Sequence, residues 1–399
     1  MSQWSFLHRR KTMEARPELH PLFFRGPEVA DRVKNLKPYD AVSSLDQIKA
    51  NPSVEHFKLD WNESTISPSP KVKQALLDFL SNDGRLNWYP DMAYQPLLDK
   101  LARYAGCEAS QLLLTNGSDS ALDLLCQTFL NPGDNMVFPV PTYTHMLQFA
   151  ERAGAELRGI PGENPFVPQL SELIPHIDSH TRIIYLANPN NPTGNVYSPA
   201  RLLELAIRFP HALIVSDEAY FEFAGISAIK LVDEVPNLVV TRSFSKCFGL
   251  AGLRLGYIVA NQRLISDLRR AHNPKSVNMM AQLAAEAALD DLPYYRAFVR
   301  EAKRSAALFV AFCERRGIPC RPTYGNFVLV QFPNAPEIAR RLSQAGVHVR
   351  DRSSQLPGVI RISLATEAQT RIILSRLAEI LDNPVELRPV QTGAAPASV

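Results

Sequence analysis

The stretch Ser243-Phe-Ser-Lys-Cys-Phe-Gly-Leu-Ala-Gly-Leu-Arg-Leu-Gly-Tyr257 sets one lysine, Lys246, among small, hydroxyl-bearing and apolar residues, with Arg254 eight residues further on. An ammonium group in such surroundings is unfavourable unless it is paired or chemically employed. The stretch lies between two short apolar runs, Leu238-Val-Val-Thr241 and Gly256-Tyr-Ile-Val-Ala260. Similar runs occur at Leu112-Leu-Leu-Thr115, Asn135-Met-Val-Phe-Pro-Val140, Arg182-Ile-Ile-Tyr-Leu-Ala187 and Ala212-Leu-Ile-Val-Ser216, each bounded by turn residues and separated by helical lengths. Continuous apolar runs in that rhythm predict buried strands of a mostly parallel sheet with helices on both faces, an α/β fold.

These runs assign residues 71–275 to a large domain. After Asn273-Pro-Lys275 the texture changes: an Ala-rich segment predicts one long helix from about Met279 to Gly317. Shorter apolar runs, Phe327–Gln331 and Val347–Arg350, then predict the strands of a smaller α+β domain over 276–385, completed by residues 36–70. Residues 1–35 read as an arm and residues 386–399 as a flexible tail.

Composition narrows the function. Hydrophobic residues at 46% and charged residues at 21% describe an ordinary globular chain, and a length of 399 residues favours more than one core. The 43 basic and 40 acidic residues are well mixed, which provides no stripe for nucleic acid or a membrane surface and favours small-molecule partners. The five cysteines lack paired spacing and His partners, so neither a disulfide framework nor a metal site is expected, and reduced thiols in the cytoplasm fit best. The first 33 residues have no secretory core, and no apolar run reaches the roughly 18 residues of a membrane span.

In open parallel sheets, catalytic groups collect beyond the carboxyl ends of the strands. Those ends carry Asn116-Gly-Ser-Asp-Ser-Ala-Leu122, Pro141-Thr-Tyr143, Asn188-Pro-Asn-Asn-Pro-Thr-Gly194, Asp217-Glu-Ala-Tyr220 and Ser243-Phe-Ser-Lys246. Taken alone, each has a plain structural reading: a helix cap, a packed aromatic, a structural turn, a strand end, a solvated lysine. Together, and in this order, they supply an anion cradle at a helix N-terminus, a ring-stacking face, a carboxylate, a phenol and an amine. That inventory matches the needs of pyridoxal 5'-phosphate.

The same motifs, with Ser-x-Ser-Lys running into Leu250-Ala-Gly-Leu-Arg254, resemble the fold-type I class I/II aminotransferases over roughly residues 35–383. Leu36-Lys-Pro-Tyr39, Trp88-Tyr-Pro-Asp91, Val349-Arg-Asp-Arg-Ser-Ser354 and Arg361-Ile-Ser363 narrow the resemblance to the histidinol-phosphate aminotransferase family. It implies a seven-stranded, mostly parallel sheet in a large cofactor-binding domain, a smaller α+β domain, and a homodimer. The resemblance further implies that Lys246 carries the cofactor as an internal aldimine and moves a proton. It gives Asp217 the pyridine nitrogen, Tyr220 and Asn191 the ring oxygen, and Tyr143 the ring face. Gly117, Ser118, Asp119, Ser243, Ser245 and Arg254 would form or line the phosphate cup, and Tyr89 would reach the partner subunit's cofactor.

For substrates, the resemblance assigns Arg361 to the carboxylate of glutamate and to the phosphate of the second substrate, with Arg350 as an auxiliary anion contact and Tyr39 closing the site. Asn191 serves both cofactor and substrate. The implied reaction exchanges an amino group between a small phosphorylated amine and 2-oxoglutarate. Leu59-Asp-Trp-Asn-Glu-Ser-Thr65 replaces the family's usual Asn-Glu-Asn-Pro-like segment, and Ala365 replaces a common glycine. Trp61 and Ser64 therefore leave the histidinol side chain open, and an amino-alcohol phosphate remains an alternative. A decarboxylase of a phosphorylated amino acid would use the same lysine, aspartate and phosphate cup. A cofactor-binding regulator is a third class, but no basic or helix-turn-helix segment precedes the fold.

Overall fold

Consecutive residues of the apolar runs pack to opposite sides of one sheet, which is why these runs are apolar throughout rather than alternating. Ile183, Tyr185 and Val215 join the core on one face, while Ile184, Leu186 and Ile214 join the core on the other. In the computed structural model, which describes residues 28–34, 36, 38, 43–82 and 84–383, a two-residue strand, β1 (Phe57–Lys58), comes first. The main sheet follows: β2 (Leu112–Thr115), β3 (Asn135–Val140), β4 (Glu156–Pro161), β5 (Thr181–Ala187), β6 (Leu213–Asp217), β7 (Leu238–Ser243) and β8 (Gly256–Ala260). The strand order is β2-β8-β7-β6-β5-β3-β4, and only β8 runs antiparallel to its neighbours. Tyr39 and the tail expected at 386–399 lie outside the described residues.

The remaining strands are β9 (Cys320–Pro322), β10 (Phe327–Gln331), β11 (Val347–His348), β12 (Arg350–Asp351) and β13 (Val359–Ser363). An antiparallel sheet takes the order β12-β13-β10-β9, and β1 pairs in parallel with β11. The architecture is α/β, with a mostly parallel seven-stranded sheet beside a smaller α+β unit. Strand β4 has no counterpart among the sequence-predicted runs. It is an edge strand whose Glu156, Leu157, Arg158 and Pro161 are not buried, so it lacks the apolar signal of the interior strands.

The long helix expected from about Met279 to Gly317 is instead two helices, Met279–Leu289 and Leu292–Arg315. The break falls at Asp290-Asp291, and Pro293 opens the second helix, where its missing N–H costs nothing. Among the described residues no helix is long and apolar enough to cross a membrane.

Directly beyond β6, Glu218 is fully buried and forms an ion pair with Arg242 of β7 at 3.0 Å. The Ala228 N–H donates to the other Glu218 oxygen at 2.7 Å, and the guanidinium of Arg242 stacks 3.4 Å over the Phe221 ring. This pair fixes the turn that carries Asp217 and Tyr220. Removing one partner leaves the other buried and unpaired, so Arg242→Met should destabilise the protein by about 3–5 kcal/mol. The check is a lower denaturant midpoint at unchanged slope; a loss below about 1 kcal/mol would contradict the coupling.

Candidate active site

The carboxyl ends of β3, β5, β6 and β7 open into one cleft of about 700 Å³, also lined by Asp60, Trp61, Glu63, Arg350, Arg352 and Arg361. Of the residues picked from sequence, the cleft is lined by Ser118, Asp119, Tyr143, Asn191, Asp217, Tyr220, Ser243, Ser245, Lys246, Arg254, Arg350 and Arg361. Gly117 does not line the cleft but packs against the Arg254 guanidinium. Tyr89 does not line it: its side chain is 74% exposed, with Lys275 Nζ 4.2 Å above the ring.

Asp217 ends β6 and is only 6% exposed. The Tyr185 hydroxyl donates to its Oδ2 at 3.0 Å and the Thr241 hydroxyl donates to its Oδ1 at 2.9 Å. Burial pushes its carboxyl up to about 6 even though both hydroxyls favour the charged form. No cation among the described residues forms an ion pair with it. A carboxylate oriented by two donors and open to the cleft is suited to a ligand that brings a positive charge or a proton.

Lys246 lies three residues beyond β7, and its Nζ donates to the Trp61 carbonyl at 2.9 Å. The Tyr220 ring centre is 5.9 Å from that amine, and the Tyr220 oxygen accepts from Asn62 Nδ2 at 3.0 Å. Asn62 has a left-handed backbone (φ 53°), and its N–H donates to the Ser363 hydroxyl at 3.0 Å. The strand containing Arg361 therefore holds the loop that holds Lys246.

An anion cradle forms where the helix Gly117–Phe129 begins. Asn116 makes no side-chain bond to the first turn, and a Cβ at Gly256 would meet the Ser118 amide at 2.5 Å, so β8 passes close beneath that turn. Gly117 (φ +81°) accommodates Arg254: an added Cβ would lie 2.4 Å from its Nη2. Arg254 itself has φ 57°, a strained backbone for a residue with a side chain, of the kind retained at functional sites. Its guanidinium contacts the Ser245 hydroxyl at 3.4 Å and Asp119 at 3.4 Å, while the Ser245 N–H donates to the Ser243 hydroxyl at 3.0 Å.

Asp119 also accepts from the Tyr143 hydroxyl at 2.8 Å and lies 3.8 Å from His145 Nδ1. Burial alone would raise its carboxyl, but hydrogen bonds from His145 and Tyr143 and the charge of Arg254 lower it. An ionised carboxylate repels a phosphate, so Asp119 faces Tyr143, His145 and Arg254 as their orienting partner.

Arg361 of β13 is only 3% exposed. Its Nη1 donates to Asn191 Oδ1 at 2.7 Å and its Nη2 to the Asp60 carbonyl at 2.5 Å, while Nε is buried without a partner among the described residues. Arg350 of β12 stands directly opposite it in the ladder. Burial, followed by the charges of Arg352 and Arg350, pushes the Arg361 guanidinium down to about 9. Like charges directly opposed are unfavourable, so this corner is prepared for an anion.

Sequence reasoning missed Tyr185, Thr241, His145 and Asp60. Tyr185 was detectable as a polar tip inside the apolar run of β5, whereas Thr241 depends on the β6–β7 register that sets it opposite Asp217. Asp60 acts through its carbonyl oxygen, which no side-chain motif reports.

This sheet topology with its strand-end cleft is that of the fold-type I transferases. The chain belongs to the aminotransferase class I and II family, whose model matches residues 54–377. It is 36% identical over 353 residues to the dihydroxyacetone phosphate transaminase of Campylobacter jejuni, covering 87% of this chain and 95% of that one. It is 34% identical over 365 residues to a histidinol-phosphate aminotransferase of a Geobacillus species, covering 89% and 98%. The crystal structure of histidinol-phosphate aminotransferase from Sinorhizobium meliloti in complex with pyridoxal 5'-phosphate superimposes with a TM-score of 0.81 at 25% identity, covering 90% and 98%.

The raised carboxyl of Asp217 has a measurable consequence in the cofactor-free protein. A carboxyl that is more basic folded than unfolded stabilises fully below its ordinary value near 3.8, and that stability is lost as pH rises through about 6. Relative to Asp217→Asn, the wild type should therefore lose about 3 kcal/mol between pH 3 and pH 7 and change little above. Denaturant unfolding at each pH reads this difference; parallel curves would show that Asp217 is not desolvated.

Proposed function

We propose that this chain uses pyridoxal 5'-phosphate to exchange an amino group between a small phosphate-bearing substrate and 2-oxoglutarate. The observation that carries this reading is Arg361, a buried guanidinium with an unpartnered Nε, no carboxylate partner among the described residues, and Arg350 directly opposite. The donor set also suits the cofactor. Arg254, Ser243, Ser245 and the first turn of the helix at Gly117 would hold its phosphate, and the unpaired Asp217 would hold a proton on its ring nitrogen.

Bound pyridoxal 5'-phosphate supplies an aldehyde that takes up an amino group and a ring that draws electrons from the adjoining carbon. Lys246 Nζ would hold the cofactor through that aldehyde and, when free, would carry a proton to and from the substrate carbon. Tyr220, oriented by Asn62, and Asn191, oriented by Arg361, would hold the ring oxygen with a hydroxyl and an amide. Tyr143, tied to Asp119, would pack on the ring, and Asp119 also orients Arg254. Tyr39 is retained as a closing residue on the family resemblance alone. Two chains are proposed to pair through the segment whose Leu86, Trp88, Tyr89 and Met92 are each at least half exposed, with Tyr89 directed at the partner's cleft.

The Campylobacter and Geobacillus relatives are named for molecules that share one phosphate-bearing unit. Dihydroxyacetone phosphate, once aminated, and histidinol phosphate both carry nitrogen on a carbon joined through CH2–O to phosphate, and they differ in the remaining arm. That shared unit is the substrate class proposed here.

The test compares serinol phosphate, the aminated form of dihydroxyacetone phosphate, with serinol in single-turnover amino transfer. Without its phosphate the substrate leaves Arg361 buried and unpaired, which should cost about 3 kcal/mol, or about a hundredfold in rate constant over affinity. Arg361→Ala should abolish most of this preference. Equal rates with and without phosphate would point to an aminotransferase for ordinary amino acids, and release of carbon dioxide from a phosphorylated amino acid would point to a decarboxylase.

A further inference from the structure

Residues Lys58 to Glu63 form one wall of the cleft and bind both of its key cations through main-chain oxygens. The Asp60 carbonyl accepts from Arg361 Nη2 at 2.5 Å, and the next carbonyl, that of Trp61, accepts from Lys246 Nζ at 2.9 Å. Carbonyl oxygens of adjacent residues lie at most about 5 Å apart, so the buried guanidinium and the reacting amine lie within roughly 10 Å of each other. That span matches a short substrate: a nitrogen-bearing carbon at Lys246 and a phosphate joined to it through CH2–O at Arg361.

The Cα of Trp61 lies covalently between those two carbonyls, so its indole leaves the wall between the two anchoring points, and the side chain lines the cleft. The indole is not free to swing away. Lys58 Nζ lies 4.9 Å from its ring centre and is fixed by ion pairs to Asp60, at 2.9 Å, and to Glu63. Asp60 is fixed in turn by the Ser44 N–H at 3.1 Å. Trp61 is 37% exposed, so its indole is open to a substrate entering the cleft.

We propose that Trp61, pinned by Lys58, reads the second arm of the substrate, admitting a hydroxymethyl arm and excluding an imidazolylmethyl arm. This rests on the phosphate-bearing substrate class proposed above. The arm leaves the carbon held at Lys246, the group to which the Trp61 backbone is bonded, so a second ring there competes with the indole for space. A hydroxyl needs little room, and it finds an acceptor in the Glu63 carboxylate, which lines the cleft together with Trp61. The favoured conversion is serinol phosphate plus 2-oxoglutarate to dihydroxyacetone phosphate plus glutamate, in which amine and carbonyl exchange places with no net oxidation.

The experiment measures kcat/KM for serinol phosphate and histidinol phosphate, with 2-oxoglutarate, in the holoenzyme and its Trp61→Ala and Lys58→Met variants. The wild type should favour serinol phosphate by about tenfold or more, Trp61→Ala should erase most of that ratio by gaining on histidinol phosphate, and Lys58→Met should shift it the same way by less. A wild-type preference for histidinol phosphate, or ratios in both variants within about twofold of wild type, overturns the role of Trp61 and leaves the phosphate reading intact. Failure of both phosphorylated amines beside conversion of unphosphorylated amino acids overturns both. If the alanine variant does not fold, the ratio for Lys58→Met decides.

Discussion

Two buried charges without counter-ions among the described residues, the carboxylate of Asp217 and the guanidinium of Arg361, are the constraint around which this molecule is organised. Each would be unfavourable in a protein that bound nothing. Asp217 is held in place by two hydroxyls from the strands beside it, and Arg361 by a carbonyl and an amide. None of these partners neutralises the charge. The fold thus spends stability to hold an anion and a cation in a cleft where ligands of opposite charge complete them.

The two charges arise in different sheets, and the segment from Phe57 to Glu63 ties the sheets together. Strand β1 pairs with β11, the Ser363 hydroxyl donates to the Leu59 carbonyl, and Asn326 donates to the Asn62 carbonyl. From this bracing the segment presents two carbonyls to Arg361 and Lys246 and an amide to Tyr220. A movement of the smaller sheet is therefore transmitted to the reacting amine through covalent chain and short hydrogen bonds.

Much of this was legible in the sequence, because a parallel sheet buried on both faces writes its strands as unbroken apolar runs. The loops after those runs hold the polar residues with chemistry, so Lys246, Asp217, Tyr143 and Asn191 could be found by position alone. The edge strand Glu156–Pro161 escaped because its mostly unburied residues form no apolar run, and the break at Asp290-Asp291 escaped because helix-forming sequence continues on both sides of it. Thr241 and Asp60 escaped for a deeper reason: their contributions depend on strand register and on a main-chain oxygen, which exist only once distant segments have met. Trp61 stood out as a departure from the family's segment, yet only the geometry shows its backbone between the two anchoring carbonyls.

The central claim is that this cleft holds pyridoxal 5'-phosphate with Lys246 as its attachment point, and borohydride reduction tests it most directly. Reduction of the loaded protein makes the link between cofactor and side chain permanent, and proteolysis followed by mass spectrometry locates it. The account predicts a single pyridoxyl group on Lys246, in the peptide spanning residues 243–254, and its loss in Lys246→Ala. A stable label on any other lysine, or an unlabelled protein that still binds the cofactor, would contradict it.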